Sequence, residues 1–339
     1  MKTIIEKKTC GLNGFGRFGL HLLSYYLKRK EECNFEIKYI NDEILDINKA
    51  LDIIVHDKYV KIYEDFPVRI KNNDTLSFGE KHEIIFTNKN SEELDWIGEP
   101  DIFLECTGKY ADAEKAKIFN IDRTEKVIIS ATSLNADSTL VFGFNHNSFK
   151  DEDKVISYGS CTVNAYVTLA NYLNKRYGVL SSDVNVIHNV PEYQLSVEGK
   201  ISTPGQPEVS ILRKSCTLST VAPILLNFLS DNNFNVNYTL IPYTGVSLID
   251  FRFQLEKNLN KFWEDFQDTC LKGDLKNLYK VSEKDLGPEA FQNTEFSSVI
   301  IKENSYIKEN NLYLSAYFDN ENSVNRYFDL VNFISNQAS

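Results

Sequence analysis

The chain has 339 residues, of which 42% are hydrophobic and 25% charged, with a formal net charge of −11 and a pI near 5.1. This is the composition of a soluble globular protein, and at about 100–200 residues per domain it predicts two domains. The acidic balance lacks the basic footprint that nucleic acid or an anionic membrane requires, so neither is expected as a partner.

No run approaches the roughly 20 apolar residues of a spanning helix. The opening residues Met1-Lys-Thr-Ile-Ile-Glu-Lys-Lys lack the apolar core of a signal peptide, so a cytoplasmic location is expected. Cys10, Cys33, Cys106, Cys161, Cys216 and Cys270 are scattered, with no C-x-x-C pair, and the five histidines show no metal-ligand spacing. That argues against zinc and against a disulfide framework.

In chain order, a strand over Lys8–Leu12 runs through a glycine-rich turn into a helix over about Phe18–Lys30. Strand Glu36–Asn41, helix Asp46–Val55 and strand Ile84–Thr87 follow. Ser91 reads as an N-cap with Glu92 and Glu93 in the first turn. Strand Asp101–Cys106, helix Asp112–Phe119 and strands Lys126–Ser130 and Leu140–Phe144 complete the series. Apolar strands separated by helices predict a parallel sheet covered on both faces. Beyond about Ser157 the pattern changes. A helix from Thr162 to Tyr177 stops at Gly178, and longer strands are predicted at Val184–Val190, Val246–Leu255 and Leu312–Phe318. Ser202–Pro207 and Leu286–Asn293 read as loops.

Gly14-Phe15-Gly16-Arg17-Phe18-Gly19 is a G-x-G-x-x-G run between a predicted strand and a predicted helix. Its glycines allow a tight turn, a close backbone approach to pyrophosphate and close helix–strand packing. The helix N-terminus behind it offers free N–H groups and positive dipole to phosphates. Asp42, 23 residues after Gly19, ends the next strand, where a carboxylate holds a ribose hydroxyl. With Glu43 beside it, Asp42 would repel a 2′-phosphate, so NAD is expected rather than NADP. The expected fold is α/β: a Rossmann dinucleotide-binding domain over 1–159, then an α+β catalytic domain over 160–319 with a mixed, largely antiparallel sheet.

Ser160-Cys161-Thr162 stands at a strand-to-helix junction. The N–H groups and dipole of a helix N-terminus favour thiolate, although an isolated cysteine is most often a small buried hydrophobe. His188 lies in the next strand, which could return an imidazole to the thiol and make a nucleophile–base pair.

These residues resemble the glyceraldehyde-3-phosphate dehydrogenase family. Asn13-Gly-Phe-Gly-Arg-Phe-Gly19, Asn41-Asp42, Glu105-Cys-Thr-Gly108, Lys126-Val-Ile-Ile-Ser-Ala131 and Ser160-Cys-Thr-Val-Asn164 are similar to its landmarks, in its order. So are the 27-residue step from Cys161 to His188, Val246-Ser-Leu-Ile-Asp250, Leu255-Glu-Lys257, Asp319-Asn-Glu321 and Asn325-Arg326. The resemblance spans essentially the whole chain. It implies an aldehyde substrate, a thiohemiacetal on Cys161, hydride transfer to NAD, and attack of inorganic phosphate on the thioester, with His188 as acid/base. It also implies a cofactor site lined by Asn13, Gly14, Phe15, Gly16, Arg17, Phe18, Gly19, Asp42, Thr107, Gly108 and Ser130. Asn320 would hold the nicotinamide amide. A homotetramer, and a C-terminal helix over 320–339 packed on the first domain, are implied as well.

The departures concern the substrate. Where the family grips the substrate's phosphate with a threonine three residues after the histidine, this chain has Pro191. Where it uses an arginine six residues before the later Val-Ser, this chain has Leu240. Leucine cannot replace a guanidinium fork. The stretch from Ser196 to Thr220 matches poorly. Ser160, Thr162, Ser219 and Thr220 remain as candidates for the inorganic-phosphate site, with Arg213, Lys200 and Lys214 as possible replacement cations. Tyr158, Val163 and Ala165 replace the usual Asn, Thr and second Cys. Three readings follow: an enzyme acting on glyceraldehyde 3-phosphate, the same chemistry on another short aldehyde, or an inactive NAD-binding regulator.

Overall fold

Strand Lys8–Asn13 (β1) is buried along five of its six residues because parallel strands flank it on both sides. The computed structural model describes residues 7–80, 82–190, 211–243 and 245–337. Its first sheet adds β2 (Phe35–Asn41), β3 (Val68–Asn72), β4 (Thr75–Phe78), β5 (His82–Thr87), β6 (Ile102–Glu105), β7 (Lys126–Ile129), β8 (Ser138–Thr139) and β9 (Val155–Ser157). The strand order is β3-β4-β5-β2-β1-β6-β7-β9-β8. Pairing is parallel from β5 through to β8, while β3 and β4 add an antiparallel edge.

Alternate residues of the same strands feed two cores, as a sheet covered on both faces requires. Leu12, Leu104, Ile128 and Ile156 join one cluster, and Phe103, Val127, Ile129 and Val155 join the other. The first cluster is closed by α1 (Arg17–Lys28), by α2 (Ile47–His56), which contributes Ala50 and Ile54, and by the C-terminal helix, which contributes Val324, Tyr327, Phe328, Leu330, Val331 and Ile334. Tyr327 Oη donates to the Ile128 carbonyl at 2.7 Å, tying that helix to β7. Residues up to Gly159 and from Val324 onward thus make one unit, and Ser160–Ser323 the other.

The second unit is built on β10 (Val179–Val190), β11 (Leu212–Lys214), β12 (Phe234–Pro242), β13 (Ser247–Leu255), β14 (Tyr279–Ser282), β15 (Ser298–Lys308) and β16 (Asn311–Phe318). Their order is β11-β12-β10-β13-β16-β15-β14. Only β10–β12 and β14–β15 pair in parallel, so the sheet is mixed and largely antiparallel. Helix α3 is Cys161–Tyr177. It is buried over most of its surface, and Tyr166 packs its ring against Phe234, Phe251 and Phe253.

Two local readings of the sequence are corrected. Leu140–Phe144 is not a strand: Gly143 takes φ +86° and the Asn145 amide bridges Val141 N–H and the Thr139 carbonyl, which closes a turn. Asn90, not Ser91, caps the short 3-10 turn Ser91–Glu93. The Ser91 hydroxyl is instead committed to the Glu43 carboxylate at 2.8 Å.

Candidate functional site

In the first unit, β1 delivers the glycine run to the N-terminus of α1. Gly14 sits at φ +100°, and a Cβ there would lie 2.7 Å from the backbone of Cys106 and Thr107. Only glycine makes that turn. A Cβ on Gly16 would meet nothing within 4 Å. Gly16 is also the N-cap residue of α1 and supplies no side-chain acceptor. The N-terminus of α1 thus has no side-chain cap from Gly16 and is open beside it, the arrangement that suits a phosphate. Phe18 stacks edge-on against Tyr158 and Tyr327, which anchors this first turn.

Asp42 ends β2, with Oδ2 accepting from Phe15 N–H at 2.8 Å and Oδ1 from Ile44 and Leu45 N–H, both at 2.9 Å. Three of its roughly four acceptor positions thus shape the loop, and one is left for a hydroxyl. Glu43 is held near a pKa of 2 by hydrogen bonds from Lys109 and Ser91, so it stays anionic. The pairing with Lys109 brings a cation close to the acidic pair, which sequence order concealed.

Several residues expected to line the cofactor also brace the loop. The Asn13 side chain is fully buried and donates to Glu105 and Ser91, both at 3.0 Å. Phe15 is 1% exposed and packs on Phe86. Arg17 is paired with Asp57 and lies 3.0 Å from His21 Nε2. Glu105, fully buried, accepts from Thr107 N–H at 2.7 Å and from its hydroxyl. Burial raises the Glu105 pKa while these donors pull it down. Ser130 N–H donates to the Glu105 carbonyl at 2.9 Å, and Gly108 follows Thr107 at φ +75°.

In the second unit, Cys161 is the first residue of α3. Ser160 caps that helix, its hydroxyl accepting from Val163 N–H at 3.3 Å. Cys161 Sγ lies 3.5 Å from His188 Nε2 on β10. His188 Nδ1 is 2.8 Å from the Asn189 carbonyl. A carbonyl only accepts, so Nδ1 carries the proton and, in the neutral ring, Nε2 presents its lone pair to the thiol. Asn189 is itself fixed, with its N–H on Ser247 Oγ at 3.0 Å, its carboxamide oxygen taking the Ser247 hydroxyl, and its amide on the Gly245 carbonyl. Tyr238 and Phe318 flank the imidazole at ring-centroid distances of 5.6 and 5.7 Å. Nothing in the sequence signalled Asn189 and Ser247 as supports.

The sequence predicts a thiol shifted toward thiolate. In the structure the opposing influences dominate. Burial pushes the Cys161 thiol up, with Cys216 and Asp319 adding to it, while the N–H groups of Thr162 and of Cys161 itself pull down. Ionisation therefore depends on the neighbouring imidazole accepting the proton.

The thiol opens on a cleft of about 260 Å³. Ser160, Cys161 and Thr162 line it from the start of α3, His188 and Val190 from β10, Tyr238 and Leu240 from β12, and Lys214, Ser215, Cys216 and Thr217 from β11 and the segment after it. Ser160 and Thr162 share a hydrogen bond of 3.0 Å, and Thr162 Oγ1 is 3.6 Å from Cys216 Sγ. Of the phosphate candidates, Ser160 and Thr162 are at the cleft, but Arg213, Ser219 and Thr220 are not among its lining residues. Arg213 precedes Lys214 on β11, so alternation turns the two to opposite faces. The Ser219 hydroxyl donates to the Cys216 carbonyl at 2.7 Å in the first turn of α4 (Leu218–Leu225). Pro191 and Lys200 lie outside the described residues, as do the Ser202–Pro207 loop and the side chain of Asn320.

A parallel sheet with a glycine-opened helix N-terminus, joined in one chain to an α+β unit carrying a cysteine–histidine pair, defines an NAD-binding protein of dehydrogenase type. Residues 8–113 match the family described as glyceraldehyde 3-phosphate dehydrogenase, NAD binding domain. The chain is 29% identical to the cytosolic glyceraldehyde-3-phosphate dehydrogenase of Dianthus caryophyllus, over 92% of its own length and 93% of the relative. It is 28% identical to the cytosolic enzyme of Pisum sativum (96% and 98%) and 27% to the glyceraldehyde-3-phosphate dehydrogenase of Atriplex nummularia (99% and 94%). Over residues 8–113 the chain matches this family's NAD-binding domain, and over nearly its whole length it is similar, at low identity, to these enzymes; its cofactor is NAD.

Proposed function

We propose that this protein oxidises a short aldehyde with NAD through a thioester on Cys161, glyceraldehyde 3-phosphate or a related aldehyde being the substrate and inorganic phosphate the acyl acceptor. The observation that carries this reading is the Cys161 Sγ to His188 Nε2 approach of 3.5 Å at a capped helix N-terminus. The proton moves from Sγ to Nε2, and the thiolate adds to the aldehyde carbon. The new oxyanion, steadied by the first-turn N–H groups of α3, takes that proton back from the imidazolium, which gives the hemithioacetal hydroxyl and a neutral ring. His188 then takes the proton of the hemithioacetal hydroxyl as the C–H bond gives up its hydride, for which NAD is the acceptor, and the thioester remains. A phosphate oxygen attacks the thioester carbon and the C–S bond breaks. An acyl phosphate leaves, and the thiolate regains its proton from His188.

The hydroxyls of Ser160 and Thr162 would steady the incoming phosphate, a reading supported by their position in the lining of the cleft. Asp42 would hold the adenosine ribose, and Asn320, by resemblance, the nicotinamide amide. A homotetramer is the assembly the resemblance supports, and the relatives' cytosolic designation supports a cytoplasmic enzyme. Cys161→Ser should abolish turnover and leave NAD binding nearly intact. Activity above about 1% of the parent would remove Cys161 as nucleophile, because losing one costs several orders of magnitude. The covalent intermediate should accumulate, as an acyl adduct on Cys161 seen by mass spectrometry, when phosphate is withheld.

A further inference from the structure

We propose that the cleft selects an aldehyde whose arm beyond the carbonyl is short, aliphatic and uncharged, and that Leu240 sets this preference. The proposal rests on Cys161 carrying the acyl group. Strands β10, β12 and β11 lie side by side, and their registers align residues in rows: Val186–Tyr238–Lys214, His188–Leu240–Leu212, and Val190–Pro242. Alternation along each strand puts His188 with Val190, Tyr238 with Leu240, and Leu212 with Lys214 on one face.

Leu240 is therefore the direct cross-strand neighbour of the catalytic imidazole. It packs with Val190, Leu212 and Tyr238 into an apolar cluster, and Leu240 and Val190 are 3% and 7% exposed. The hydroxyls of Ser160, Thr162 and Thr217 also line the cleft, but they stand at the start of α3 and after β11 rather than on the His188 row. Among the described residues, an acyl arm extending from Cys161 along the His188 row meets Leu240, with Val190 beside it, and neither side chain carries a donor. A phosphate or carboxylate there would lose its hydration without replacement, while each methylene gains by leaving water. At about 260 Å³ the cleft lies below the usual range for drug-sized ligands, which limits the arm to a few carbons. Lys214 lines the same cleft one row away, across Tyr238, and supplies the competing possibility of an anionic arm.

Acylation of Cys161 by 4-nitrophenyl acetate, propanoate, butanoate and hydrogen succinate isolates this preference from hydride transfer. The nitrophenolate burst is measured in the intact protein and normalised to each ester's reaction with N-acetylcysteine. The normalised second-order constant should rise about fourfold per methylene from acetate to butanoate. The succinate should fall more than tenfold below butanoate. Leu240→Ala should flatten the series, and Leu240→Met, which conserves volume, should retain it and serve as the folding control. Leu240→Arg should reverse the order in favour of the succinate. A succinate rate equal to or above that of butanoate in the parent protein overturns the proposal. If Lys214→Met then abolishes that rate, an anion site at Lys214 stands in its place. A flat series in the parent also overturns it. No burst with any ester defeats the Cys161 acyl reading itself, and the preference falls with it.

Discussion

Two glycines of one motif should fail in opposite ways. At Gly14 the backbone is at φ +100°, and a methyl would sit 2.7 Å from the Cys106 carbonyl carbon and the Thr107 nitrogen. Neither can retreat readily, because Cys106 N–H is held by the Asn13 carbonyl at 2.8 Å and Thr107 N–H by Glu105 at 2.7 Å. The dihedral strain costs about 1–3 kcal/mol and the overpacking about as much again. At roughly 2–4 °C per kcal/mol, Gly14→Ala should lower the Tm by about 5–20 °C. Gly16 has φ −74° and ψ −163°, which alanine accepts, and no atom within 4 Å of the added methyl. Gly16→Ala should therefore leave the Tm unchanged or raise it by the equivalent of about 0.4–1 kcal/mol. Its methyl occupies the space through which a pyrophosphate approaches the α1 N–H groups, so the NAD Kd should rise at least about tenfold, or about 1.4 kcal/mol. Scanning fluorimetry without cofactor and calorimetric NAD titration read the two effects. An equal loss of Tm in both variants would refute the packing argument. An unchanged Kd for Gly16→Ala would mean that the phosphates do not approach there.

His188→Ala should slow iodoacetamide alkylation of Cys161 by about 10- to 150-fold at any pH below the thiol's titration, the value of one charged hydrogen bond. The sign follows from the structure: burial, Cys216 and Asp319 all push the thiol up, so removing the imidazole leaves only backbone N–H groups to favour thiolate. Rates followed against pH in a Cys216→Ala background test it, and superimposable profiles would make His188 a structural residue. NAD should bind more tightly than NADP, because a 2′-phosphate would meet Asp42 and a Glu43 held anionic. Asp42→Asn should narrow that gap in competition binding while also weakening NAD, since the carboxylate braces Phe15, Ile44 and Leu45 N–H.

The sequence by itself determined the strand–helix alternation of the first unit, the glycine run at its first strand-to-helix turn, and the strand-to-helix placement of Cys161. These are local: apolar periodicity, glycine freedom and helix capping act over a few residues. It did not reveal β12, whose Phe234-Asn-Val-Asn-Tyr-Thr run alternates with asparagines and whose partner β10 is distant in sequence. The β3–β4 edge hairpin also went unread, although its strands are sequence neighbours. The tertiary structure decided the chemistry of the cleft. Whether Arg213 or Lys214 reaches it depends on the register of β11 on β12, and a slip of one residue exchanges them. The same register sets Leu240 beside His188 and turns a missing arginine into an apolar wall. Burial separates Asn13, sealed in a hydrogen-bond network, from Gly16, open at the helix end three residues later. Both stand in one motif, and only packing against Ser91 and Glu105 distinguishes the strut from the binding surface.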